Sequence, residues 1–342
     1  RAFVTAADER DIVVLLTIHD GWTKTRFAGH PFNVTHGGPL TDGAQYVELH
    51  DYQSELSGPF DSNWSREQQH QFHLEQFCDR LIDETGDQTN VMYEMFNEGE
   101  WYDQTDLRAF QVHFLEFFDA RTTQPLLVND DHVGGDDFRG EPLADVITLH
   151  RPIWGVTTSA HSAFTHYAPL FGDTPVKPNF FSEPVPSFEG NAGELDAMMR
   201  LMWGTLLGGA GFVAQNDTSF GFDPSSAMTS QSTARDAMLD LEGHAARFFA
   251  EAVESMDGFV PNATACSTTM CLERSAHTTI AYLQDGSSLT VNTNAYSGQM
   301  VARFYNPRTG AFGPEVDVWD HGPNVPFTAP STGDWVLIVT VP

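Results

Sequence analysis

Short, nearly continuous apolar runs alternate along this chain with longer stretches of helical spacing. Residues 11–19, Asp-Ile-Val-Val-Leu-Leu-Thr-Ile-His, form the first such run, and 91–96, 125–128, 146–149, 179–182 and 211–214 follow. Runs of this length without strict alternation are the pattern of parallel strands buried on both faces. Between them lie helical segments. Ser65-x-x-Gln68 is a capping box opening a helix with Leu74, Phe77, Cys78, Leu81 and Ile82 on one face, and Gly86 closes it. Leu107, Phe110, Phe114, Leu115 and Phe118 mark the next helix, and residues 156–171, 195–207 and 235–256 predict three more. Residues 1–10 look like the end of another helix. Strands alternating with helices at this spacing predict a parallel sheet with helical crossovers.

From about Pro261 the texture changes. Residues 279–283, 288–292, 300–305 and 335–339 are short alternating segments, with turns expected at Asp285-Gly286 and Thr309-Gly310. This pattern predicts a small antiparallel β-sandwich. We therefore expect two domains, residues 1–258 and 259–342. Residues 20–64 form a long connection rich in Gly, His, Pro and aromatics, and its Trp22, Phe27, Phe32 and Tyr46 predict an ordered binding loop.

Composition narrows the partners. The formal net charge is -30, and Lys24 and Lys177 are the sole lysines. Such a chain is a poor partner for nucleic acid or an anionic membrane, whose charge it would repel. The acidic balance predicts a surface of halophilic type. No apolar run reaches the ~20 residues of a membrane span. Cys78 falls in a helical pattern and reads as core. Cys266 and Cys271 are close enough in sequence to pair, as a secreted protein would allow. No metal or redox cysteine motif is present, and no cofactor is expected. The chain opens Arg-Ala-Phe-Val without a signal peptide.

The stretch richest in chemistry is Val91-Met-Tyr-Glu-Met-Phe-Asn97-Glu98, an apolar run ending in an amide and a carboxylate. Alternation puts Glu94, Phe96 and Glu98 on one face, which is costly unless that face meets a polar barrel interior or a cleft. These residues resemble the fourth-strand signature of glycoside hydrolase family 5 and of clan A glycosidases more broadly. The family's usual proline after the glutamate is here Gly99. Arg200-Leu-Met-Trp-Gly-Thr-Leu-Leu-Gly-Gly-Ala-Gly211 resembles the seventh helix and the start of the eighth strand of apiosidase-like barrels. Tyr305-Asn-Pro-Arg-Thr-Gly310 and residues 327–337 resemble the collagen-binding-type sandwich that accompanies such barrels. The resemblance implies a (β/α)8 TIM barrel followed by a small all-β sandwich. Because it places the Asn-Glu strand fourth and one strand precedes it here, the barrel is expected to lack its first two strands, in a piece of a longer protein. A doubly wound six-stranded sheet is the alternative, but no phosphate-cradling glycine turn follows any strand.

The resemblance also implies the chemistry. Glycoside hydrolysis needs two carboxyl groups flanking the scissile bond. Glu98 matches the general acid/base and Asn97 the asparagine that binds the sugar 2-hydroxyl. Glu183, at the end of Lys177-Pro-Asn-Phe-Phe-Ser-Glu183, matches the nucleophile. His19 resembles the third-strand histidine lining the sugar site, and a core histidine is the other reading. His150 resembles the histidine after the sixth strand, although the aromatic expected two positions on is Pro152. The tryptophan expected after the eighth strand is replaced by Gln215-Asn216-Asp217, so Asn216 is a binding candidate. Trp22, Trp101 and Trp154 could stack on sugars or simply pack. The expected activity is that of a secreted retaining glycosidase acting on O-glycosyl bonds of a plant or algal polysaccharide or oligosaccharide. Two other classes compete. His19-Asp20, Asp130-Asp131-His132 and His150 could ligate a metal in an amidohydrolase-type barrel, although the His-x-His pair is missing. A non-catalytic carbohydrate-binding barrel is the third.

Overall fold

The computed structural model describes residues 1–10, 12–21, 31–40, 49, 56, 59–99, 102–130, 138–149, 159–171, 177–181, 192–212, 232–253 and 255–342. The chain forms two compact units, Arg1–His150 and Arg151–Pro342.

The first unit opens with α1 (Ala2–Asp8) and continues through β1 (Val14–Thr17), α2 (Arg66–Thr85), β2 (Val91–Glu94), α3 (Gln104–Asp119), β3 (Leu126–Asn129) and β4 (Val146–Leu149). The strands lie in the order β1-β2-β3-β4, all parallel. β3 and β4 are buried at every position, as continuous apolar runs require. β1 is shorter than its apolar run, because Ile12 and Val13 are about half exposed ahead of the first ladder pair, Val14↔Val91.

Both long helices start where local chemistry dictates. The Ser65 hydroxyl accepts from the Gln68 amide and the Gln68 side chain accepts from the Ser65 amide, so two orphan donors of α2 are satisfied reciprocally. Asp103 caps α3 by accepting from the amides of Thr105 and Asp106. All five apolar positions expected on α3 are buried. On α2, Leu74 and Cys78 are buried, whereas Phe77 is 46% exposed, one position off the helix's inward stripe. Burial pushes the Cys78 thiol far up, so it stays protonated and inert as a core residue.

The second unit begins with α4 (Ala160–Phe171), β5 (Asn179–Phe181), α5 (Ala192–Leu207), β6 (Gly211–Phe212) and α6 (Ser232–Ala252), with β5 parallel to β6. The antiparallel strands follow: β7 (Phe259–Pro261), β8 (Cys271–Arg274), β9 (Thr278–Val291), β10 (Met300–Asn306), β11 (Ala311–Phe312), β12 (Val316–Val318) and β13 (Val325–Thr340). Their order is β11-β10-β13-β9-β8-β7, with β12 also paired to β10.

Asp285-Gly286 does not end a strand, contrary to its turn-like sequence. It sits inside β9, where Asp285 has φ 51° and Gly286 pairs with Gly333 at the register shift of β13. The matched irregularity bends both strands while the ladder continues, and bulges act this way. Residues from both halves of the bent strands, Leu283 with Leu289 and Phe327 with Leu337, share one core, so the sheet closes on itself as a sandwich. Cys266 and Cys271 are joined by a disulfide within that core. The opposite face of the inner halves, Ile280, Tyr282, Val336 and Ile338, forms a second core with Trp203 of α5 and Phe248 of α6. This explains why residues 278–283 are buried without interruption: β9 is covered on both sides.

Asp334 locks the same face. Its buried carboxylate accepts from Arg200 Nε at 3.2 Å, from Arg308 Nη2 at 2.5 Å and from the Asp285 amide at 2.9 Å. Arg200 also reaches Asp285, and Arg308 reaches Asp196 of α5.

Candidate active site

The carboxyl-end segment of β2 is built from both sides. On one side, the Asn97 amide donates to the His19 carbonyl at 2.9 Å, and the Gly21 amide donates to the Asn97 carbonyl at 2.7 Å. On the other, the Gly99 amide donates to Asn129 Oδ1 at 3.3 Å. Asn129 is itself clamped by Gln111 of α3, which donates to the Asn129 carbonyl at 2.9 Å and accepts from its amide at 2.8 Å. Asn129 and Gln111 are both buried. The peptide on each side of Glu98 is therefore fixed by a neighbouring strand end.

Glu98 has φ 56°, in the left-handed region that a residue bearing a side chain seldom adopts. Such conformations cost roughly 1–3 kcal/mol and persist where the surroundings impose them. Gly21 is the main constraint: a Cβ there would lie 2.0 Å from the Glu98 carbonyl oxygen. Gly99 is the other, since a Cβ would meet Leu107 at 2.5 Å and Asn129 Oδ1 at 2.9 Å. Gly99 occupies the position where the resembling family carries proline. Proline would remove the N–H that Asn129 accepts.

The strand does not keep its alternation to Glu98. Tyr93 packs on Phe118 and Phe96 on Phe110, both rings of α3, so these two positions three apart face the same helix. The chain bends at Met95, just past the last residue of β2, and the ladder resumes at the Asp20↔Asn97 bridge. Glu94, Phe96 and Glu98 thus do not share a face. Glu94 is buried, with Oε2 accepting from the Thr17 hydroxyl of β1 at 2.6 Å. Tyr93 hydrogen-bonds Thr85 at 2.8 Å; burial pushes its phenol up, the Thr85 bond opposes this and the charge of Asp87 adds to it.

His19 is 5% exposed and ringed by His70, Phe96, Tyr102 and Phe110, at centroid separations of 4.8–6.3 Å. Its backbone positions Asn97, and its imidazole packs behind the strand ends. A polar pair ties α2 to α3 nearby: Glu75 accepts from Gln71 and contacts His113 Nε2 at 2.8 Å. Asn97 and Glu98 are half-buried at the site.

Glu183, His150, Trp22, Trp101, Trp154 and Asn216 lie outside the described residues, as do Asp131 and His132. Three positioning residues were not evident as such in the sequence. Gly21 and Gln111 carry no local signal. Asn129, at the end of an apolar strand run, offered one, since a buried amide there must find partners.

Residues 260–340 match a family described as "putative collagen-binding domain of a collagenase". The search of curated proteins finds no match. Similar solved structures include a glycoside hydrolase family 5 protein from Bacteroides vulgatus, 13% identical, covering 78% of this chain and 65% of that one at a TM-score of 0.60. A second, a glycoside hydrolase, is 12% identical and covers 99% of this chain and 88% of its own at 0.63. A third, a noncanonic maltogenic alpha-amylase from Thermotoga neapolitana, is 10% identical and covers 100% of this chain and 80% of its own at 0.55. The chain thus spans just under two thirds of the family 5 protein. At these identities the likeness establishes fold: an incomplete β/α barrel of the kind glycoside hydrolases use, followed by an antiparallel sandwich.

Proposed function

We propose that the complete protein is a secreted retaining glycoside hydrolase that cleaves O-glycosidic bonds of a plant or algal polysaccharide or its oligosaccharides. Residues 1–258 supply the catalytic barrel in this reading, and 259–342 form a second domain. The supporting observation is the left-handed Glu98, set between Asn97 and Gly99 beyond a parallel strand and clamped from both flanking strands. In β/α barrels the reacting groups stand at this end of the strands. Localised backbone strain there favours a working carboxylate over a surface one. The Cys266–Cys271 disulfide supports an oxidising, extracellular setting.

The reaction would run in two displacements. Glu98, protonated, donates to the departing glycosidic oxygen while the ionised Glu183 attacks the anomeric carbon from the opposite face. Glu98, now a carboxylate, takes a proton from water, which attacks the glycosyl-enzyme and releases the sugar with its starting configuration. Retention calls for the two carboxyl groups to stand about 5–5.5 Å apart. Asn97 would hold the sugar 2-hydroxyl. His150, Asn216 and the indoles of Trp22, Trp101 and Trp154 would line the sugar site, with the buried His19 ring behind it.

Azide separates the two roles in the full-length protein. With an activated aryl glycoside, Glu98→Ala should accumulate glycosyl-enzyme, and azide should restore turnover with a glycosyl azide of retained configuration. Glu183→Ala should be inactive on every substrate, and azide should yield only the inverted product, if any. If both variants keep wild-type turnover, the carboxylate pair is not the catalytic pair.

A further inference from the structure

The antiparallel sheet carries a recess of its own. β12 extends the free edge of β10, pairing Met300↔Val318 and Ala302↔Val316, and the chain then turns through Trp319 and Asp320 toward β13. Between β12, this turn and the first half of β13 lies a cleft of about 540 Å³. Clefts of roughly 300–1,000 Å³ are the usual size for small-molecule sites. Phe304 and Phe327 line it where the sandwich core opens to solvent. Pro326 adds a rigid wall. Trp319 also lines the cleft and leaves 66% of its surface exposed, the most of any large apolar side chain among the described residues of this unit. Asp320 flanks it and is exposed, whereas Asp317, opposite Val301, turns its side chain to the other face of β12 from Val316 and Val318.

An indole kept at a cleft rim by a folded chain contributes nothing to the core. Leaving that much aromatic surface in water forgoes about 25 cal/mol per Å² of burial, which a ligand can supply. The occupant must present an apolar face to the ring and hydrogen-bond donors to the Asp320 carboxylate. A pyranose does both. Its C–H face carries partial positive charge toward the electron-rich indole face, and its hydroxyls donate to carboxylate oxygens. Anionic ligands are disfavoured by that carboxylate and by the net charge of -30. We propose that this cleft binds a neutral saccharide chain, with Trp319 as the stacking platform and Asp320 as a hydroxyl acceptor. Choosing a saccharide over a polypeptide rests on the glycosidase reading above; the cleft itself does not.

The test uses the full-length protein in native gels containing galactomannan, arabinoxylan or mixed-linkage β-glucan, alongside pull-down on triple-helical collagen. At least one polysaccharide should retard the protein. Trp319→Ala should weaken that binding tenfold or more at an unchanged thermal midpoint, and Trp319→Tyr should recover most of it. Asp320→Asn should weaken it less. The proposal is overturned if no polysaccharide retards the protein, or if retardation is the same in Trp319→Ala. It is equally overturned if Trp319 is needed for collagen and not for polysaccharide. Hydrolysis of the same polysaccharides, followed separately, keeps the two readings apart. Trp319-dependent binding without cleavage removes the glycosidase and leaves this site; cleavage with Trp319-independent binding does the reverse.

Discussion

At the scale of single residues, the backbone around Glu98 matters as much as the carboxylate. Gly21 touches Glu98 only through a carbonyl, yet it sets where that peptide lies. Gly21→Ala should cost about 1–3 kcal/mol of stability, as overpacking generally does. It should also cut turnover on the order of 100-fold, because small misplacements of a reacting group are that expensive. Denaturant unfolding and kcat on one substrate check both, and the fall should appear in kcat more than in KM. The Asn97-Glu98 pair was visible in the sequence as an amide and a carboxylate closing an apolar run, and the structure places both half-buried past the end of β2. The clamp was not: Gly21, Gln111 and Asn129 are far from Glu98 in sequence, and only the parallel register of β1, β2 and β3 brings them to it. The same register hides the bend at Met95, which strict alternation overlooks.

At the scale of elements, signals that close within one turn were legible and those that depend on a partner were not. The capping box at Ser65 satisfied its own donors and needed no tertiary context. Asp285-Gly286 reads as a hairpin turn until Gly333 is seen opposite it, so the length of β9 belongs to β13 as much as to its own residues. Asp334 next to that bend is the element-scale joint. Its side chain is fully buried with two guanidinium partners. Asp334→Ala should therefore destabilise the protein by about 3–5 kcal/mol, the usual cost of stranding buried charge; a double substitution with Arg308 should cost less than the sum. Two tyrosines give a pH test of the same sheet. Burial holds Tyr296 and Tyr305 up to about 12, and their hydroxyls contact Thr279 and the His244 carbonyl at 2.6 Å. A phenol raised above its ordinary value near 10 binds its proton more tightly in the folded state. That contribution is whole below pH 10 and is lost as pH climbs from about 10 to about 12. Phenolate absorbance from these two should stay silent until unfolding begins, and the thermal midpoint should fall across that window. Phenolate signal from both at pH 10 with the fold intact would contradict this.

At the scale of the whole molecule, the change of texture read from about Pro261 falls at the end of β7 (Phe259–Pro261), and the family match covers 260–340. The parallel strands were also legible, six apolar runs corresponding to the six parallel strands among the described residues. What the texture does not reveal is how the two sides of that point share apolar surface. Trp203 of α5 stacks near Tyr282 and Phe249, and Tyr305 hydrogen-bonds the backbone of α6. A chain stopped at Asp257 would expose Trp203, Phe248 and Leu207 as a contiguous apolar face of the kind that drives aggregation. Such a truncation should be recovered mainly in the insoluble fraction, and soluble, monomeric 1–257 with a cooperative melt would refute the shared core. For anyone recombining barrel and sandwich domains, this sheet is then no interchangeable appendage. A graft that keeps its strands but changes the helices beneath Trp203 inherits a lock without its key, and the segment from α4 to the last strand has to travel as one cassette.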